Sequence, residues 1–155
     1  DFGGRETALA TVLEAGPSVF NHNLETCRRL TPAIRAGARY DRSLAVLRAA
    51  RRLQTPPAGS GEAPARIKSG FMLGLGETTA EIRELLGDLR AANVELLVIG
   101  QYLPPSRQHW PLARYVPPAE FATWEQVART EFGFAAVVSR PLARSSYLAE
   151  NLARA

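Results

Sequence analysis

The stretch VELLVIG, Val94 to Gly100, is apolar but for Glu95. A run that offers apolar side chains on both faces suits a parallel strand covered on both sides, rather than a strand with one wet face. Three further segments read as strands: SVFNHN from Ser18 to Asn23, the apolar, glycine-punctuated core of RIKSGFMLGLGET, which runs on into a loop, and FGFAAVV from Phe132 to Val138. Helical periodicity fills the intervals. ETALATVLEAG is amphipathic and stops at a glycine and proline; Leu44, Leu47 and Ala50 line one face of a helix ending near Leu53, with Asp41 as its expected cap. Thr78 and Glu81 have the spacing of a reciprocal capping box ahead of Ile82, Leu85, Leu86 and Leu89. Pro118 opens a helix running to about Thr130. RRLTPAIRAGARY reads as turns.

Alternating strands and helices specify a parallel α/β sheet. Four strand candidates in 155 residues are few for a doubly wound sheet, and a closed eight-stranded barrel takes ~250 residues. A small open sheet and part of a barrel both remain open. TPPAGSGEAPA, within residues 54–66, has almost nothing to bury and reads as a loop or tether. Residues 1–138 read as the sheet and its helices, and 139–155 as a C-terminal tail.

Composition narrows the partners. The net charge is +4, but the basic residues are nearly all arginines scattered without a block, and no clustered basic and aromatic motif points to nucleic acid. No apolar run approaches the ~20 residues of a membrane span, and DFGGRETALA has neither the basic start nor the apolar stretch of a signal peptide. A cytoplasmic setting in a bacterium, or an organelle interior, is therefore expected. The single Cys27 excludes an internal disulfide and a cysteine-held cluster supplied by this chain alone.

Polar residues gather at strand ends, where α/β folds place their sites. Asn21, His22, Asn23 and Glu25 follow the first strand. His22 has no partner at ligand spacing and His109 lies in a distant loop, so hydrogen bonding by the Asn and Glu side chains is the better reading than metal binding. In GFMLGLGET, Gly70, Gly74 and Gly76 would admit a ligand close to the backbone, with Glu77 as acceptor; a tight turn with a solvated Glu is the plain alternative. GQYLPPSRQH sets Gln101, Ser106 and Arg107 on a backbone stiffened by prolines, which suits a binding loop. In the tail, RSSY offers Arg144 and two serines, Ser145 and Ser146, that read either as a cap for YLAENLARA or as ligand groups.

Taken together and in this order, VFNHNLET, KSGFMLGLGET, GQYLPPSRQHWPLARYV and RSSY resemble the lipoyl synthases of the radical S-adenosylmethionine superfamily. The resemblance covers nearly the whole chain except TPPAGSGEAPA, which looks like an insertion. It implies the C-terminal half of a partial (β/α)6 barrel of TIM type. It also implies an enzyme that inserts two sulfur atoms into an octanoyl chain on a lipoyl carrier domain, using two 4Fe-4S clusters and S-adenosylmethionine. One cluster cleaves S-adenosylmethionine to a 5′-deoxyadenosyl radical; the auxiliary cluster is consumed as sulfur donor.

By this resemblance Asn21, Asn23, Glu25, Gly74 and Glu77 line the S-adenosylmethionine pocket, and Gln101, Ser106 and Arg107 lie near substrate and cofactor. Ser146 or Ser145 ligates one iron of the auxiliary cluster, with Arg144 positioning the motif or balancing charge. An oxygen ligand is harder than thiolate and easier to give up when the cluster is dismantled. The family's Cys-x3-Cys-x2-Cys motif and its auxiliary cysteines do not occur here. The expected partners are thus an octanoylated carrier and a missing N-terminal half, and the chain alone is expected to be inactive. The alternatives are one subunit of a split enzyme, and a non-catalytic module that binds S-adenosylmethionine or the carrier.

Overall fold

The computed structural model describes residues 2–54 and 63–144. Four strands, β1 (Val19–Asn21), β2 (Arg66–Leu73), β3 (Leu96–Gln101) and β4 (Ala136–Ser139), form one sheet in sequence order. Every neighbouring pair is parallel. Parallel neighbours need crossovers. These are supplied by a short α2 (Thr31–Ile34) and α3 (Tyr40–Leu53) between β1 and β2, α4 (Thr79–Ala91) before β3, and α5 (Pro118–Thr130) before β4; α1 (Glu6–Glu14) precedes β1.

The period-2 alternation of the strands sorts their side chains into two populations. Ile67, Phe71 and Leu73 of β2, Leu97 and Ile99 of β3 and Val137 of β4 join the helices in the main core, with Leu44, Leu47, Leu85, Leu86 and Phe121. Leu96, Val98 and Ala136 point the other way, into a small separate cluster with Ala143, flanked by Val19 and Val138. All the helices therefore pack on one face, and the opposite face carries Lys68, Gly70, Met72 and Gly100. That one-sided, sequential, parallel arrangement is a segment of a TIM-type α/β barrel, not a doubly wound sheet. Lys68, on the inner face, is 2% exposed, and desolvation lowers its pKa.

The expected capping box is present. Thr78 Oγ1 accepts from Glu81 N at 3.3 Å and Glu81 Oε2 accepts from Thr78 N at 2.8 Å. Arg29 donates to both Glu81 oxygens at 2.7 and 3.0 Å, and these bonds with the cap hold the carboxyl down at about 2. Two expectations are corrected. Asp41 is not a cap: Arg39 takes that position without a side-chain bond, and Asp41 lies in the first turn of α3, where it pairs with Arg28 at 2.5 Å. The segment read as turns contains α2, whose Thr31 donates from Oγ1 to Cys27 O at 3.0 Å.

Arg28 also reaches Glu84 and Asp88 and lies 4.4 Å over the Tyr40 ring. Such exposed pairs contribute ~0–1 kcal/mol each. Their consequence is positional: they tie the chain after β1 to α3 and α4. Among the described residues no helix is long and apolar enough to cross a membrane.

Candidate functional site

At the C-terminal ends of β2 and β3 lies a cavity of about 240 Å³ lined by Asn23, Glu25, Gly70, Met72, Val98, Gly100, Gln101, Leu103 and Arg144, among others. One wall is the chain after β1. Glu25 has a left-handed backbone, φ 69°, unusual for a residue with a Cβ. Two bonds hold it there: its N–H donates to Gly70 O at 3.0 Å and its carbonyl accepts from Met72 N at 2.9 Å. Asn23 Nδ2 donates to Glu25 Oε1 at 3.2 Å, and Arg35 Nη1 donates to the carbonyls of Asn23 and Leu24. Asn23 Oδ1 is buried without a partner.

The floor is glycine by steric need. A Cβ on Gly70 would sit 2.9 Å from Val98 O and 3.4 Å from Asn23 Oδ1, and one on Gly100 would sit 2.7 Å from Ala143 O. Two strands that otherwise carry larger side chains inward, Lys68 and Met72 on β2 and Leu96 and Val98 on β3, thus open a shallow cradle. The far wall is Ala143 and Arg144, with Arg144 Nη1 3.7 Å from where a Cβ on Gly100 would sit.

Glu77 and Gln101 turn out to brace the loops around this cradle. Both carboxylate oxygens of Glu77 accept from its own turn, Gly74 N at 2.7 Å and Leu75 N at 2.9 Å. Gly74 takes φ +96°, and a Cβ there would lie 2.4 Å from Gln101 Nε2. The Gln101 amide, 4% exposed, donates to the carbonyls of Leu73, Tyr102 and Arg114 and accepts from Val116 N at 2.9 Å. One side chain therefore straps the 102–116 loop to two strand ends.

Of the residues singled out in the sequence, the structure gathers Asn23, Glu25, Gln101 and Arg144 on the cavity. Gly74 and Glu77 form the adjoining turn, and Asn21 borders a different cavity. Ser106 and Arg107 are exposed, and Ser106 Oγ lies 2.9 Å from His109 Nδ1. Ser145, Ser146 and the cap expected for YLAENLARA lie outside the described residues, as does most of the 54–66 insertion. Gly100 and Arg35 went unrecognised. Gly100 is legible in hindsight as the lone glycine in VELLVIG, whereas Arg35 acts only through backbone carbonyls.

The donor set decides what fits. Among the described residues no group of three His, Cys, Asp or Glu side chains is capable of holding a metal ion. Cys27 is 2% exposed, and burial pushes its thiol up, away from the thiolate that iron binds. The described residues do not fit an iron–sulfur cluster. A small polar molecule does fit the cradle: it offers a carboxylate, a guanidinium, an orphaned amide oxygen and apolar contact from Met72, Val98 and Leu103.

No model of a known protein family matches the chain. Individual proteins do. Lipoyl synthases of Bacillus mycoides (strain KBAB4), Bacillus thuringiensis (strain Al Hakam) and Bacillus cereus (strain Q1) are each 46% identical to it over 154 residues. Each match takes in 99% of this chain and 49% of the relative. The chain thus spans about half the length of the curated relatives it matches. Over nearly its whole length, it is homologous to one half of the bacterial lipoyl synthases.

Proposed function

We propose that this chain is the C-terminal half of a lipoyl synthase, and that its strand-end cavity is one wall of the S-adenosylmethionine pocket. The observation that carries the reading is the 46% identity spread over 99% of the chain. The cavity's chemistry agrees with it. Asn23 Oδ1 lacks a partner and is ready to accept from a hydroxyl or ammonium of the ligand. Glu25 adds a carboxylate beside it, and Arg144 a fixed cationic fork opposite. Gly70 and Gly100 let a flat group rest on the sheet between Met72, Val98 and Leu103. Glu77 and Gln101 keep the surrounding turns in place without spending their polar atoms on the ligand.

S-adenosylmethionine supplies the hydrogen-abstracting chemistry when bound. The cysteines for both 4Fe-4S clusters come from the complementary half, whether in the same polypeptide or a separate one. One of Ser145 and Ser146, outside the described residues, is the auxiliary-cluster ligand, and an octanoylated carrier domain is the substrate. The 54–66 segment is an insertion peripheral to this chemistry.

The test is calorimetric titration of S-adenosylmethionine into the chain paired with its complementary half. Glu25→Gln should weaken binding at least tenfold, while Arg107→Ala, outside the cavity, should leave it within twofold. Equal affinity for Glu25→Gln and the unaltered protein would remove the cavity from the pocket.

A further inference from the structure

The chain entering the cradle carries one residue more than the strand beside it. His22 N donates to Lys68 O at 3.1 Å, and the next bond of the ladder runs from Glu25 N to Gly70 O at 3.0 Å. Between these bonds β2 advances two residues, from 68 to 70, while the chain after β1 advances three, from 22 to 25. Glu25 then resumes the pairing, bridging Phe71 and accepting from Met72 N at 2.9 Å. The surplus residue makes a bulge, a device that re-aims side chains beside binding sites.

Alternation along the strand shows what is re-aimed. Phe20 and Leu24 both belong to the main core, so in an even strand the ladder position that Glu25 occupies would fall to Leu24. With the surplus residue Leu24 stays in the core and Asn23 lines the cavity. Glu25 holds a core-facing ladder position yet lines the cavity as well, through its left-handed φ of 69°. That conformation is costly for a residue with a Cβ. The bulge also takes Leu24 O out of the ladder, because Met72 N bonds to Glu25 instead. Arg35 Nη1 meets this carbonyl at 3.2 Å and Asn23 O at 3.3 Å. Arg35 is half-buried, and α2 carries it back to the bulge, its own N–H closing that helix on Thr31 O at 3.0 Å.

We infer that Arg35 is a positioning residue: its guanidinium holds the bulge, and the bulge keeps the Asn23 amide and the Glu25 carboxylate aimed at the ligand. Arg35 does not line the cavity itself, so it acts through residues 23–25. Removing it frees two carbonyls and lets the left-handed turn relax toward ordinary strand, which swings Glu25 away. That the ligand is S-adenosylmethionine rests on the proposed function, whereas the clamp rests on the geometry of the bulge.

The test has one arm without ligand and one with it. Followed by NMR in the chain, Arg35→Met should speed exchange of the Glu25 amide at least tenfold and leave that of Ile99, within β3, unchanged. In calorimetric titration of S-adenosylmethionine into the chain paired with its complementary half, Arg35→Met should weaken binding at least tenfold. Arg35→Lys, whose ammonium has donors for both carbonyls, should stay within threefold of the unaltered protein. The double variant Arg35→Met with Glu25→Gln should lie within threefold of the weaker single variant, because Arg35 acts through Glu25. Unchanged Glu25 exchange, losses that multiply in the double variant, a lysine that fails to rescue, or lost protection at Ile99, the mark of a general structural role, would overturn the inference. Failures separate cleanly: wild-type affinity for Arg35→Met beside a weakened Glu25→Gln sinks the positioning role alone, whereas fast Glu25 exchange in Arg35→Met with wild-type affinity for Glu25→Gln sinks the functional reading alone.

Discussion

Gly100 and Gly70 carry the cradle because a Cβ at either position meets main-chain oxygen, which cannot swing aside as a side chain would. Gly100→Ala should therefore cost on the order of 1–3 kcal/mol in urea denaturation, and it should weaken ligand binding further by pushing the Ala143 carbonyl off the floor. His22 gives a pH signature. Burial first, and nearby positive charge second, lower its pKa from 6.5 to about 4. The unfolded chain binds the extra proton between these values, so stability from this group is present above pH 6.5 and is lost as pH falls toward 4. A loss on the order of 2 kcal/mol is expected across that window, read as a falling melting temperature, and His22→Leu should flatten it. At this scale the sequence pointed to Asn23 and Glu25 because polar side chains after a strand are exposed to the site. It could not separate Glu77 and Gln101 into bracing roles, since their partners are backbone groups, some of them, such as Arg114 O and Val116 N, in a remote part of the loop.

The elements repay the same physical reading. Thr78→Ala should remove the reciprocal cap of α4 and cost about 1 kcal/mol of stability, checked by the urea midpoint. On α5, Arg129 donates to Val137 O and Glu125 accepts from Ser139 N along the outer edge of β4. Replacing both by alanine should uncover that edge, and concentration-dependent self-association by sedimentation is the expected result; a strictly monomeric variant would show that the caps are incidental. The helices α3, α4 and α5 and the strands β2, β3 and β4 were legible because each has an apolar stripe or run of its own, whereas β1, with only Val19 and Phe20 apolar, was legible from the glycine and proline that stop the helix before it. The short α2 was not. Four residues make no periodic pattern, and its stability comes from Thr31 bonding back to Cys27. Asp41 looked like a cap because its residue type suits one, yet its charge is spent on Arg28, a partner 13 positions away.

At the scale of the whole molecule, parallel strands in sequence order with helices on one face make a barrel segment. Alternation alone left an open sheet and a barrel segment equally plausible, because periodicity does not say on which side crossover helices lie. Under the proposed function the labour is divided: this half, whose single cysteine Cys27 is buried, would offer the ligand cradle, and the other half would bring the cysteines. The most direct measurement is lipoyl formation on an octanoylated carrier domain. The chain and the complementary half of a matched relative would be assayed separately and together, after reconstitution with iron and sulfide, with reductant and S-adenosylmethionine present. Neither half alone should yield product, and the reconstituted pair should. Product from this chain alone, or none from a cluster-loaded pair that has formed its complex, would contradict the proposed function.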